Sequence, residues 1–332
     1  MKAISYVVDS NIDFKNALRD IEKDKPTLKE RDVLVKVRAI SVNPVDTKIR
    51  KSANQVNNHI LGWDAVGEIV EIGSKVTSFK VGDSVWYAGD LTRDGSNAEF
   101  QAVDERIISL KPITISNAEA AALPLTAITA WEMLFDRFKI SETESGSILI
   151  IGGAGGVGSI AIQLLKAKTN LTVIATASRE ETKSWVKSLG ANHVIDHSQD
   201  LSAQIEELKI DQPKYVFSTN HTETYTNQIV SLIAPQAKLG LIDDPQAFDI
   251  MPFKRKSISI HWELMFTRSM YETNDIQQQS YILQQVSYLI DQQKLRSTVS
   301  QNLGKINAAN LEQAHKLIES GKAKGKIVLE NF

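Results

Sequence analysis

Over roughly the first third of the chain, apolar and polar positions alternate in short runs, as in Val33-Leu-Val-Lys-Val-Arg-Ala39 and Ala65-Val-Gly-Glu-Ile-Val-Glu-Ile72. Turn residues at Gly73-Ser74 and Gly82-Asp83 cut these runs. A period of two, broken by turn chemistry, predicts a β-rich barrel or sandwich up to about residue 110. After Pro124 the texture changes. An apolar run Ser147-Ile-Leu-Ile-Ile151 leads into a helical pattern from about Val157 to Lys168, and further apolar runs follow at Thr172–Ala175, His193–Ile195, Tyr215–Phe217, Lys238–Ile242 and Ser257–Ile260. Strands alternating with helices predict a doubly wound parallel sheet, and six candidate strands fill one. The tail carries a Gln-rich amphipathic pattern near Ile276–Gln293 and ends in the strand pattern Gly325-Lys-Ile-Val-Leu329, which is expected to return to the N-terminal domain. No internal repeat interrupts this order.

Composition narrows the class of function. With 332 residues, 42% of them hydrophobic and 23% charged, the chain can bury two cores. Lys plus Arg number 38 against 40 Asp plus Glu, a net charge of -2, so no field of one sign points to nucleic acid or an anionic membrane. Cysteine is absent, which removes disulfides, thiolate metal sites and a cysteine nucleophile together. The start MKAISYVVDS reads as a strand rather than a leader, and no apolar run approaches the ~18 residues of a membrane span. A cytoplasmic enzyme is expected.

The chemistry concentrates in Gly153-Ala154-Gly155-Gly156-Val157-Gly158, a G-x-G-x-x-G between an apolar strand and a helix. Here the first glycine permits the tight turn, the second lets backbone approach a pyrophosphate, and the third allows close helix packing. An NAD enzyme places Asp or Glu at the end of the second strand for the ribose 2′-OH. This chain instead has Ser178 and Arg179, with Lys183 one helical turn further, donors and cations suited to a 2′-phosphate. NADPH is therefore expected over NADH; the alternative is that Arg179 only solvates a surface loop. His193 and His197 are four apart, but on a strand and its following loop that spacing makes no shared metal face.

These features resemble the medium-chain dehydrogenase/reductase superfamily, in its zinc-free quinone oxidoreductase branch. The likeness runs through Asn43-Pro-Val-Asp46 with Lys48 and Arg50, Gly62-Trp-Asp-Ala-Val-Gly-Glu-Ile69, Val81-Gly-Asp-Ser-Val85, Leu123-Pro-Leu-Thr-Ala-Ile-Thr-Ala-Trp131, the glycine fingerprint and Gly325-Lys-Ile-Val. It implies a GroES-like catalytic domain of residues 1–122 and 266–332, a Rossmann NADPH-binding domain of residues 123–265, and a homodimer. It also implies cofactor contacts at Thr129, the glycine turn, Ser178, Arg179, Lys183, His197 after the third strand, Asn220 after the fourth, Leu241, Ile242 and Asp243 after the fifth, and Lys326. Thr126, Trp63 and Tyr87 are the expected substrate contacts, with Trp262, Phe266 and Tyr271 as further aromatic candidates; packing in a core or interface is the competing and favoured role for at least half of these aromatic side chains.

Zinc-dependent relatives carry Cys-x-His or Cys-x-Asp near the Asn43 position, Gly-His-Glu where this chain has Gly62-Trp63-Asp64, and a four-cysteine lobe. None of these is present, so no metal is expected. Losing a Lewis acid disfavours alcohol oxidation and favours a conjugated acceptor that spreads incoming charge. The expected function is hydride transfer from NADPH to a quinone or related conjugated carbonyl, with an alkenal/enone reductase or a non-catalytic NADPH-binding protein as alternatives. Asn43, Asp46 and Lys48 are the catalytic candidates, Lys48 standing where many quinone reductases have Tyr. The competing reading of Asn43 and Asp46 is that they shape a turn and cap a helix.

Overall fold

The computed structural model describes residues 1–6, 18–52 and 59–332. It divides into two compact units, Met1–Ile128 with Phe266–Phe332, and Thr129–Met265.

The first unit is built from the alternating runs. Its described strands here are β1 (Lys2–Tyr6), β2 (Leu18–Glu22), β3 (Asp32–Val42), β4 (His59–Ile60), β5 (Ala65–Ile72), β6 (Ser84–Tyr87), β7 (Phe100–Asp104) and β8 (Ile108–Leu110), with helix α1 (Pro44–Ser52) after β3. Among the described residues β2-β1-β4 form a small antiparallel sheet. The larger sheet is centred on β3, which pairs with both β5 and β7. Val33, Leu34, Val35 and Val37 of β3 are buried, as are Val66 and Ile69 of β5, and the period of two is interrupted by register shifts between Leu34 and Val35 and between Val37 and Ala39. Helices α2 (Asn117–Ala121) and α3 (Pro124–Trp131) follow. Ser116 and Glu119 make a reciprocal capping box at the start of α2.

The second unit holds β9 (Ser147–Ile151), α4 (Gly156–Lys168), β10 (Thr172–Thr176), α5 (Glu180–Ser188), β11 (His193–Ile195), α6 (Leu201–Glu207), β12 (Tyr215–Ser218), α7 (Thr222–Leu232), β13 (Lys238–Leu241) and β14 (Ser259–Trp262). All neighbouring pairs are parallel, in the order β11-β10-β9-β12-β13-β14. This is the doubly wound arrangement, with its reversal of strand order between β9 and β12. Leu149, Ile151, Val216 and Leu239 from the central strands pack with Ile229 and Leu232 of α7 in one buried core. The last strand begins two residues later than the hydrophobic run suggests. Ser257 has a left-handed backbone, φ 52°, at the end of a tight helical turn over Met251–Lys256, and extended pairing starts only beyond it.

The tail then returns to the first unit through α8 (Thr267–Met270), α9 (Gln278–Asp291), β15 (Val299–Asn302), α10 (Ala308–Glu319) and β16 (Lys326–Glu330). The last strand pairs antiparallel with β3, Val328 opposite Ser41, as its lack of a partner in the second sheet predicts. The division between units falls within α3, between Ile128 and Thr129. The Leu125 N–H donates to the Asp64 carboxylate at 2.7 Å, which ties the first turn of α3 to the first unit. No helix among the described residues is long and apolar enough to cross a membrane.

Candidate functional site

In the second unit the turn after β9 is shaped for backbone approach. Gly152 has φ +81°, and a Cβ there would lie 2.2 Å from Thr219 Oγ1 and 2.7 Å from Asn220 Oδ1. Its N–H donates to Thr176 Oγ1 at 3.0 Å, tying the turn to the end of β10. The glycine pattern itself omits Gly152 and Thr176; only the left-handed backbone and the cross-strand bond reveal their part. A Cβ on Gly158 would meet Gly152 O at 2.4 Å and Gly153 Cα at 2.7 Å, so the first turn of α4 rests on the glycine loop itself. Gly155 is different: beyond its chain neighbours its Cβ would meet only Gly152 O, at 3.5 Å. It caps α4 with extended backbone, φ -71° and ψ 175°, and contributes no side-chain cap. The opening N–H groups of α4 are thus bare toward an open space, the arrangement that binds a phosphate at a helix N-terminus. Ala154 lies in that loop, Gly156 and Val157 open α4, and the donor set fits a pyrophosphate.

The carboxyl ends of the neighbouring strands gather cations. Ser178 and Arg179 follow β10, and Arg179 is exposed at the N-cap of α5. Lys183 lies one turn on and pairs with Asp196 at 3.4 Å. His197 is half-buried after β11; burial lowers its pKa, His221 and Arg179 lower it further, and Asp196 opposes them. Asn220 is exposed after β12. Asp243 is already engaged, accepting the Thr222 N–H at 2.7 Å and the Thr222 hydroxyl at 2.5 Å, so it anchors the start of α7. Leu241 and Thr129 are buried and Ile242 is half-buried.

In the first unit the candidates at the head of α1 share one buried network. Asp46 accepts the Asn43 N–H at 2.7 Å, closing the first turn of the helix. The Asn43 amide donates to Trp63 O at 3.2 Å and Asp64 Oδ2 at 2.8 Å, and its oxygen accepts from the Lys326 ammonium. Lys326 also donates to Val42 O and, at 3.0 Å each, to Asp64 Oδ2. Its three protons are therefore committed within this unit, and a cofactor contact by Lys326 would have to displace one of them. Asp64 further accepts from Ser41 Oγ at 2.8 Å and from the Leu125 N–H. Sequence reading treated Asp64 only as a missing metal ligand and did not anticipate this hub. Burial, reinforced by the Asp64 charge, pushes the Asp46 carboxyl up to about 7, against the lowering by the Asn43 N–H and Lys326.

Other expected contacts are placed differently. Trp63 and Tyr87 are 0% and 1% exposed, so both are buried within the first unit. Trp63 donates through Nε1 to Asp90 O and packs edge-on against Phe266. Thr126 is buried and donates to Leu123 O at 3.0 Å. Lys48 is exposed on α1, and Trp262 and Tyr271 are exposed as well. For a metal the fit is poor. Asp64 is saturated by an ammonium and neutral donors, and among the described residues no group of three or more His, Cys, Asp or Glu side chains could hold an ion.

Two family models match the chain: the alcohol dehydrogenase GroES-like domain over residues 29–112 and the zinc-binding dehydrogenase domain over residues 156–279. A zinc-type alcohol dehydrogenase-like protein of Staphylococcus aureus (strain MSSA476) is 43% identical over 337 residues, covering 99% of both chains. A solved structure from Rhizobium etli CFN 42, provisionally named a zinc-dependent alcohol dehydrogenase protein, is 54% identical with a TM-score of 0.96, covering 100% of this chain and 98% of that one. The quinone oxidoreductase of Coxiella burnetii superposes with a TM-score of 0.81 at 26% identity, covering 99% of each chain. A chloroplastic NADPH-dependent alkenal/one oxidoreductase of Arabidopsis thaliana is 40% identical over 187 residues, 53% of this chain and 47% of its own length.

Proposed function

The chain is an oxidoreductase of the medium-chain dehydrogenase/reductase superfamily and belongs to its quinone oxidoreductase-like branch, and from that premise we propose that it transfers hydride from NADPH to a quinone or related conjugated carbonyl without zinc. The observation that carries the reading is the second unit's pairing of a bare helix N-terminus with a strand end that offers Ser178 and Arg179 where an acid would select NADH. Gly153 to Gly158 would hold the pyrophosphate, and Ser178, Arg179 and Lys183, with His197 alongside, would take the 2′-phosphate.

Bound there, the cofactor supplies the hydride. The protein's part is to align an acceptor, exclude water and provide hydrogen bonds and a proton to the oxygen that gains charge. Lys48 is the exposed candidate donor in the first unit, and Asp46 is the buried one. With Asp64 consumed by Lys326 and no thiolate in the chain, a metal-polarised alcohol is the weaker substrate class. The edge position of β14, with Trp262 and Leu264 each more than half exposed beside it, favours a homodimer.

A spectrophotometric assay of NADPH oxidation against a small panel of quinones and enones tests the reading. Consumption is expected with at least one conjugated acceptor. Preference for enones over quinones would favour the activity carried by the name of the Arabidopsis relative. Tight NADPH binding with no acceptor reduced would turn the assignment toward a binding role.

A further inference from the structure

Lys183, a cation expected at the 2′-phosphate, already has a partner. Its Nζ stands 3.4 Å from Asp196 Oδ2, with the two side chains 37% and 22% exposed. The partners are held very differently. Asp196 accepts the Ser198 N–H at 2.9 Å and the Ser198 hydroxyl at 2.7 Å, both through Oδ1. Its backbone is clamped by Gln204 of α6, whose Oε1 accepts the Asp196 N–H at 2.8 Å and whose Nε2 donates to Asp196 O at 2.9 Å. The carboxylate is therefore fixed at the end of β11, and Oδ2 is the oxygen left for the lysine. Lys183 projects from α5 on a flexible four-carbon stem, so it is the partner that can turn.

Asp196 is also close enough to act on the charge of His197, as are Arg179 at the N-cap of α5 and His221 at the N-cap of α7. One acid thus stands among the basic groups at three neighbouring strand ends, all within the second unit. A dianion arriving there meets Asp196 as a like charge, and a neutral 2′-OH does not.

We propose that Asp196 is a specificity-determining residue that moderates the affinity for NADPH: it competes with the 2′-phosphate for Lys183 and leaves the affinity for NADH unchanged. The inference rests on the reading of Ser178, Arg179 and Lys183 as a 2′-phosphate seat. Asp196 acts through Lys183 and is a positioning residue. Binding NADPH exchanges one charge-assisted contact of the lysine for another, and the gain is only the difference between them. With asparagine at this position the lysine is released, and its whole contact with the phosphate counts toward binding. The asparagine Oδ1 still accepts from Ser198, so Asp196→Asn keeps the turn after β11.

Calorimetric titration of the cofactor-free protein with 2′,5′-ADP and with 5′-AMP isolates the 2′-phosphate and needs no acceptor. Asp196→Asn should bind 2′,5′-ADP about two- to fivefold more tightly than the wild type, the range of an exposed ion pair, with 5′-AMP unchanged. Lys183→Met should weaken 2′,5′-ADP by a similar factor. In the double variant Asp196→Asn/Lys183→Met the tightening relative to Lys183→Met should shrink below about twofold, because no lysine is left to release. NADPH and NADH should follow the two nucleotides in the same order. An equal effect of Asp196→Asn on both nucleotides, as a merely structural change at the turn produces, overturns the proposal. Unchanged or weaker 2′,5′-ADP binding in Asp196→Asn does the same, as does full tightening in the double variant. If the wild type binds 2′,5′-ADP no better than 5′-AMP and Lys183→Met alters neither, the 2′-phosphate seat itself is refuted, and the role of Asp196 with it.

Discussion

The glycine turn makes a prediction in which fold and cofactor binding separate. Alanine at Gly155 meets nothing closer than Gly152 O at 3.5 Å, and the backbone angles there, φ -71° and ψ 175°, suit any residue. At a helix N-cap alanine is poorer than glycine by roughly 0.5–1 kcal/mol, while the stiffer unfolded chain returns about 0.4–1 kcal/mol. The folded state should therefore change by no more than about 0.5 kcal/mol. The new methyl group, however, would stand where the proposed seat brings a pyrophosphate to the α4 N–H groups. Loss of one charge-assisted hydrogen bond, about 1.5–3 kcal/mol, weakens NADPH roughly 10- to 100-fold. Gly158→Ala is the control with the opposite balance. Its Cβ would sit 2.4 Å from Gly152 O and 2.7 Å from Gly153 Cα, both backbone atoms that cannot swing aside. Overpacking of this kind costs about 1–3 kcal/mol of stability. Urea denaturation and fluorescence titration with NADPH measure the two effects. Unchanged NADPH affinity in Gly155→Ala, at wild-type stability, would refute the assignment of this turn as the pyrophosphate seat.

Four further outcomes follow from the same residues. Arg179→Ala should raise KM for NADPH at least about tenfold while leaving NADH nearly unaffected, as expected for loss of a 2′-phosphate cation; an unaltered preference removes Arg179 from the site. Lys48→Met should lower kcat with NADPH binding intact, and normal turnover would take Lys48 out of the chemistry. His315 has neither nitrogen partnered, and burial, with the Arg50 charge beside it, lowers its pKa to about 3. The unfolded chain then binds the extra proton below about pH 6.5 and the folded chain does not, so stability falls with pH through that window, by about 2 kcal/mol at pH 5; His315→Leu should lose that part of the slope in urea midpoints measured at pH 7.5 and pH 5. Elemental analysis of protein purified without added metal should find well under stoichiometric zinc, and one zinc per chain would contradict the saturation of Asp64.

Local pattern determined much of this protein. Periods of two and of 3.6 residues mark the two kinds of domain because a half-buried strand and an amphipathic helix each impose their repeat on adjacent residues. The glycine turn was legible for the same reason: strand, loop and helix N-terminus are contiguous, so spacing alone describes the seat. Ser178 and Arg179 could be read because the end of the second strand is a fixed station in that unit. The head of α1 is another matter. Asn43, Asp64, Leu125 and Lys326 lie far apart along the chain, and only the pairing of β16 with β3 brings the lysine to the asparagine and the aspartate. Whether a carboxylate there is a metal ligand, a salt-bridge partner or a proton store depends on which charges the fold sets within reach and how much water it removes, and neither quantity is written in the spacing of residues. The same holds for Trp63 and Tyr87, whose aromatic character fits a substrate wall or a packed core and whose burial only the fold reveals. Sequence decided what each segment becomes; the tertiary structure decided which distant side chains share a low-dielectric pocket, and so which of them ionise.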